Sequence, residues 1–243
     1  MHIIKLNAID STNSYLRELS SKKDLEDFTV VVSETQNKGR GQMGTIWESE
    51  EGKNLTCSVL KAHLNLKAEE AFSVSMITSL AIIKVLERFQ IPRLSIKWPN
   101  DILSEDKKIC GILIENIIKN RRVEASIIGI GLNVNQTIFQ NLPQATSLKN
   151  ITGQLFDISE LMIHIISELK LGFKHVSNVQ TDHIKLEYES RLFRRDKPST
   201  FKDKKGQFFP GYIKGIDKTG KLLILLEDDV IKAFELKSIQ LMF

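Results

Sequence analysis

Four short stretches of this chain carry side chains suited to a charged, activated substrate. Gly39-Arg40-Gly41-Gln42-Met43-Gly44 spells G-x-G-x-x-G shortly after a β-branched run at 28–33. In a dinucleotide fold that spelling opens an amphipathic helix, whose N-terminus receives pyrophosphate. Here the chain continues Thr45-Ile46-Trp47-Glu48-Ser49 with no helical stripe, which argues against that reading. An arginine within a flexible backbone still suits an anion, because closely spaced N–H groups can form a nest. An ordinary surface loop fits equally well. Lys97-Trp98-Pro99-Asn100-Asp101 breaks a strand, since proline removes an N–H and restricts the residue before it. The tips of Lys97, Asn100 and Asp101 either converge on one mouth of a sheet or make an Asx-capped turn. Lys108-Ile109-Cys110-Gly111 opens the next strand, where Gly111 marks close approach by a ligand or another backbone. Taken alone, Lys108 reads as a solvent-facing lysine. Ile128-Gly129-Ile130-Gly131-Leu132-Asn133 puts two glycines on one strand face, leaving a slot for something flat or room for a closely packed helix.

Nucleophiles are scarce. The five histidines (2, 63, 164, 175 and 183) fall in no motif, His63 and His183 read as solvent-exposed, and no G-x-S-x-G occurs. Glu50-Glu51 and Asp228-Asp229 lie in turn-like stretches and read as solvated charge. A substrate carboxylate acting as its own nucleophile would need no serine or cysteine, only cations, dipoles and exclusion of water. Cys57 and Cys110 are the only cysteines, in neither a C-x-x-C nor a metal spacing, so a disulfide framework is excluded and a reducing cytoplasm is expected. No metal site is expected from protein ligands alone. No apolar run approaches the ~20 residues that cross a bilayer, and the first residues lack a signal-peptide core. A net charge of +4 without a basic arm makes no case for DNA.

With 243 residues and 42% hydrophobic content, the chain can bury one substantial core and a small second domain. Residues 2–9 alternate as a strand, Asp10-Ser11-Thr12 supplies caps for a helix to about residue 20, and 28–33 reads as a buried strand. A polar, glycine-rich connection over 36–53 precedes a strand at 54–60. Phe72, Met76, Leu80, Ile83 and Leu86 predict a helix over 69–89, stopped by Pro92. Strands are predicted at 94–98, 108–118 and 123–133, with a turn at Asn120-Arg121; 134–156 reads as irregular. Helices follow at 159–175 and 182–192, the first with a stripe of Leu161, Ile165 and Leu169. Beyond Arg194, short strands are split by turn residues. The expectation is an α+β fold: a central mixed or antiparallel sheet with helices mainly on one face, as a domain over 1–194, plus a small all-β SH3-like domain over 195–243.

Taken in order, these blocks resemble the biotin protein ligases across nearly the whole chain. The matching residues are Asp10-Ser11-Thr12-Asn13, Gln36 to Gly41, Trp47, Lys97 to Asp101, Lys108-x-x-Gly111-Ile112-Leu113-x-Glu115 and Gly129-x-Gly131-x-Asn133. The resemblance implies that ATP and biotin condense to biotinyl-5′-AMP, with Mg²⁺ on the triphosphate. The biotinyl group then passes to a lysine of a biotin carboxyl carrier protein or domain. Ser11, Thr12, Asn13, Gln36, Gly41 and Gln42 would bind biotin, with Gly111, Gly129 and Gly131 making room for its bicyclic ring. Arg40 and Lys108 would neutralise the α-phosphate and the biotin carboxylate. Trp47, Lys97, Asn100, Asn133 and Ala145 would hold ATP or the adenylate, and Asp101 would orient or deprotonate the acceptor lysine. The 36–53 and 134–148 loops would cover the anhydride against water.

Two features bear on how this chain would differ. Family members commonly carry arginine at Gln42, so looser adenylate retention is expected. The pattern begins within the first dozen residues, so no helix-turn-helix repressor segment is expected. Exposed strand edges permit a homodimer. Lipoate or octanoyl transfer is the rival chemistry; the Ser-Thr-Asn cluster and the KWPND block favour biotin.

Overall fold

Alternating apolar residues sort onto the two faces of one large sheet, and that division decides where a ligand can reach it. The computed structural model describes residues 2–140, 142–174 and 178–243. The chain runs β1 (Ile3–Ile9), α1 (Thr12–Lys22), β2 (Val30–Gln36), β3 (Leu55–Lys61), β4 (Leu66–Lys67), α2 (Phe72–Arg88), β5 (Leu94–Lys97) and β6 (Asp101–Ser104). It continues β7 (Lys107–Lys119), β8 (Arg122–Leu132), α3 (Leu148–Thr152), α4 (Ile158–Lys174) and α5 (Asn178–Ser190). The end of the chain holds β9 (Pro198–Asp203), β10 (Phe208–Ile216), β11 (Leu222–Leu225), β12 (Ile231–Phe234) and β13 (Ile239–Met242).

The first sheet has the order β1-β2-β3-β8-β7-β6-β5, with β4 paired to β8. Only the β1–β2 pair is parallel, so the sheet is mixed, as expected. On β8, Ile128, Ile130 and Leu132 face the main core with α2 and α4, whose stripes carry Ile82, Ile83, Leu86, Leu161, Ile165 and Leu169. Ile127 faces the other way, with Leu16 of α1, Val31 and Leu60. Helices therefore cover one face, while α1 covers only part of the opposite one. Because side chains alternate along a strand, Gly129 and Gly131 share the face of Ile127, next to the short helix.

The predicted elements recur with three differences. Residues 134–156 include α3, capped by Ser147, whose hydroxyl accepts from the Asn150 N–H, and closed by Gly153 at φ 75°. Strands β4 and β6 are additional; runs of two and four residues are too short to show a period. Helix α5 begins at Asn178, four residues before the predicted start, and the predicted end of α4, His175, lies outside the described residues.

The last five strands form their own antiparallel sheet, in the order β12-β11-β10-β9-β13. Its core stacks Phe201, Phe209 and Phe234, with centroids 5.5 Å apart in each successive pair. Two hydrogen bonds are among the contacts that dock it on the rest. Buried Glu189 of α5 accepts the Ile216 N–H at 2.9 Å, and Trp98 donates its indole N–H to the Gly220 carbonyl at 2.9 Å.

Candidate functional site

The partly uncovered sheet face beside α1 is the floor of a cavity of about 260 Å³. Gly111 of β7 and Gly131 of β8 are direct cross-strand partners, and Leu113 pairs with Gly129. A Cβ at Gly131 would lie 2.4 Å from the Trp47 indole, one at Gly111 2.9 Å from it, and one at Gly129 2.3 Å from Asn13 Oδ1. The slot read from the glycine spacing therefore exists, with a correction: in this structure its space is filled by the chain's own indole and carboxamide. The Trp47 Nε1 is buried there without a hydrogen-bond partner. A buried N–H without a partner costs free energy.

The glycine-rich loop has a local explanation. Gly41 N–H donates to Thr45 O and Trp47 N–H to Gly39 O, folding 39–47 back on itself around a 3₁₀ turn at Gln42–Gly44. A Cβ at Gly39 would fall 2.2 Å from the Trp47 carbonyl oxygen, so glycine is required for this close return. The Gly41 N–H is thereby engaged within the loop itself. What the loop delivers to the cavity is the side chains of Arg40 and Trp47.

One end of the cavity is an array of amides and hydroxyls. Thr12 donates to Gln36 Oε1 from both its N–H (2.9 Å) and its hydroxyl (3.1 Å). The Ser58 hydroxyl lies 2.7 Å from Thr12 Oγ1 and 2.5 Å from Asn13 Oδ1. Asn13 Nδ2 donates to Glu115 Oε2 at 2.9 Å. Ser11 caps α1. Sequence reasoning missed Ser58: a serine inside a buried strand carries no signal until the fold sets it under Thr12 and Asn13.

The other end is cationic. Lys108 Nζ stands 2.7 Å from Asp101 Oδ1 and 5.4 Å from the Trp47 ring centroid. That oxygen is buried and pairs with the ammonium without an aligned hydrogen bond. Arg40 donates to Ser14 Oγ at 3.0 Å and to Glu115 Oε1 at 3.1 Å. Both cations line the same cavity, although they lie 68 positions apart in sequence. Lys237, at the turn before β13, reaches the Gln42 carbonyl at 2.7 Å and lines the cavity as a further cation that the sequence did not single out.

Ser11, Thr12, Asn13, Gln36, Arg40, Gly41, Gln42, Trp47, Asn100, Asp101, Lys108, Gly111, Gly129 and Gly131 all line this cavity. Three candidates do not. Lys97 lines an adjoining cleft of about 880 Å³ between the two sheets, which shares Thr45, Pro99, Asp101 and Lys237 with the cavity. Burial holds the Lys97 ammonium below the usual lysine range, partly offset by Asp101, while Lys108 adds to the lowering. Asn133 is buried just past the end of β8 and donates its Nδ2 to the Thr146 carbonyl at 3.0 Å. Ala145 bridges the Lys108 backbone and so supports that lysine from outside the cavity. Asn100 lines the cavity, but its Nδ2 is engaged with Ile112 O at 2.8 Å. The expected 134–148 cover supplies none of the described lining; Asn141 lies outside the described residues.

Cys57 lines the cavity as a buried thiol, its pKa pushed up to about 12 by desolvation, and Cys110 is pushed up too. Neither is a thiolate nucleophile at neutral pH. Among the described residues, no group of three or more His, Cys, Asp or Glu side chains is placed to hold a metal ion, and no helix is long and apolar enough to cross a membrane.

A half-open pocket with an amide-lined end and a cationic end, set on an α+β sheet, defines a small-molecule enzyme site rather than a docking module. The chain belongs to the biotin/lipoate A/B protein ligase family, whose model matches residues 6–133. It is 30% identical over 238 residues to the bifunctional ligase/repressor BirA of Bacillus spizizenii, covering 96% of this chain and 72% of that one. It is 27% identical over 218 residues to a biotin–[acetyl-CoA-carboxylase] ligase of Mycobacterium tuberculosis, covering 88% and 79%. The Aquifex aeolicus biotin protein ligase, solved with biotin and ATP, superposes with a TM-score of 0.81 at 28% identity, covering 99% of this chain and 98% of that one.

Proposed function

We propose that this protein is a biotin protein ligase, joining biotin to AMP at the expense of ATP and then passing the biotinyl group to a lysine of a biotin carboxyl carrier domain. The observation that carries the reading is that Arg40 and Lys108, from separate stretches of chain, line one cavity together with an array of amides and hydroxyls. Two anions, a carboxylate and an α-phosphate, repel each other; cations facing one cavity offset that repulsion where charge builds up in the transition state.

In the first step, a biotin carboxylate oxygen attacks the α-phosphorus and forms the acyl–phosphate bond. The bond to the bridging oxygen breaks, and pyrophosphate leaves with its electron pair. Thr12, Asn13 and Gln36 supply donors and acceptors suited to a ureido ring, with Ser11 at their edge. Gly111, Gly129 and Gly131 give the ring a floor once Trp47 moves aside to form its wall. Gly41 and Gln42 line the same end. The adenylate and triphosphate extend past Asn100 towards the adjoining cleft, where Lys97 and Lys237 add positive charge. Mg²⁺ would arrive on the triphosphate, which needs few protein carboxylates; Asp101 and Asp203 line this path.

In the second step the acceptor amine attacks the activated carbonyl, AMP departs and the ammonium proton is lost. Asp101, which lines the cavity, would orient that amine. Gln42 leaves the loop one charge short of the family pattern, so leakage of adenylate exceeds that of a Gln42→Arg variant. The compartment this reading implies is the cytoplasm, it assigns no role to DNA, and a homodimer would pair through the open edge of β1.

The deciding experiment is pyrophosphate release with biotin and ATP together, against either alone and against lipoate with ATP. Release that does not require biotin, or that lipoate supports equally well, overturns the reading.

A further inference from the structure

Glu115 joins two residues that line the cavity, Asn13 and Arg40, and the roles above leave it unused. Its side chain is only 13% exposed. One oxygen accepts from Asn13 Nδ2 at 2.9 Å. The other accepts from Arg40 at 3.1 Å and faces Arg17 Nη1 at 3.5 Å. Asn13 is in turn joined through Ser58 to Thr12 and Gln36. A continuous polar chain therefore runs from the amide end to the guanidinium that faces the cationic end.

We propose that Glu115 is a positioning residue that couples the two ends, fixing the Asn13 carboxamide with one oxygen and the Arg40 guanidinium with the other. The inference rests on the ligase reading for its kinetic consequence, though not for the coupling itself. Arg40 is half exposed and long, so without an anchor it samples many rotamers before it can face a phosphate. Glu115 and Ser14 hold two of its donors and leave the rest free for an anion. A carboxylate can serve Asn13 and Arg40 together because it offers acceptors on both oxygens. A glutamine cannot: with its carbonyl towards Asn13 it turns an N–H₂ group towards the guanidinium, donor against donor. Occupancy at the amide end, by engaging Asn13, thus changes how firmly Arg40 is held.

The test compares Glu115→Gln, Arg40→Gln and the double variant. In pyrophosphate release, Glu115→Gln lowers kcat by about tenfold or more, the weight of one charge-assisted hydrogen bond, while KM for biotin changes less than about threefold. On the Arg40→Gln background the same change has no further effect on kcat, because residues acting as a unit are non-additive. A separate readout needs no turnover: the Asn13 side-chain amide resonances, assigned by their loss in Asn13→Asp, shift in ligand-free Arg40→Gln as well as in Glu115→Gln. Multiplicative kinetic losses, or Asn13 resonances indifferent to Arg40, overturn the coupling. A wild type that releases no pyrophosphate sinks the ligase reading instead, and the resonance test still decides the coupling.

Discussion

At the scale of single residues, the site is a set of charges that the fold has already partly neutralised. Lys108 faces Asp101 and Arg40 faces Glu115, so an anionic ligand enters a pocket whose cations are held in place rather than free. Holding costs some attraction but removes the need to reorganise during reaction. Lys108→Gln should lower kcat for biotin-dependent pyrophosphate release by about 10²–10³-fold, the usual loss of one preorganised charge partner, with a much smaller change in biotin affinity by calorimetry. An equal loss in both would show that Lys108 serves binding alone. Cys57 carries a pH prediction. Its folded pKa is raised from 9.0 to about 12, so the folded chain keeps a proton that the unfolded chain releases. Stability from this group is complete below pH 9.0 and is lost as pH rises from 9.0 towards 12. Denaturant midpoints should fall across that window, and less steeply in Cys57→Ser. Native protein at pH 8 should resist alkylation at Cys57 until unfolded.

At the scale of elements, short polar links decide what the strands present. The 39–47 return brings Arg40 and Trp47 over β7 and β8 because Gly39 tolerates a carbonyl where a Cβ would sit. Its turn is tied to the second sheet through Lys237 and otherwise lies exposed, so it is the segment a ligand should order. Biotin with ATP should slow proteolysis within 36–53 and change the emission of Trp47, read in a Trp98→Phe background; an unchanged cleavage rate would remove the loop's role as a cover. The other informative link is Glu189 on α5. Its carboxylate accepts the buried Ile216 N–H, and a Cβ at Gly215 would lie 2.4 Å from it. Glu189→Ala leaves that N–H unsatisfied and should lower unfolding stability by about 1–3 kcal/mol, seen as a lower urea midpoint at unchanged slope. Activity in the surviving folded fraction reports whether docking of the second sheet matters to catalysis.

At the scale of the whole molecule, the uneven clothing of the large sheet is what makes a site. Helices α2 and α4 seal one face into the main core, while α1 covers part of the other and stops. The second sheet stands across the remaining opening, forming the roughly 880 Å³ cleft beside the 260 Å³ cavity. The smaller space matches the head of a compact ligand, and the larger one, edged by lysines 97, 202, 204, 205 and 237, suits a polyanion and the approach of an acceptor.

Most elements were legible from the chain alone, because 3.6-residue and two-residue periods are written directly in the apolar pattern. The α2 stripe and the β7 and β8 alternation are cases in point. The ordered motifs likewise identified nearly every residue that lines the cavity, since their types report the chemistry they face. Side-chain direction and partnership were not legible. Asn133 reads like a ligand residue but is spent on Thr146, Ser58 reads like filler but joins Thr12 to Asn13, and the glycine slot holds Trp47. Those outcomes depend on contacts between residues 13 or more positions apart, and a one-dimensional pattern contains no term for them; only the packed chain, in which most buried donors find an acceptor, decides them.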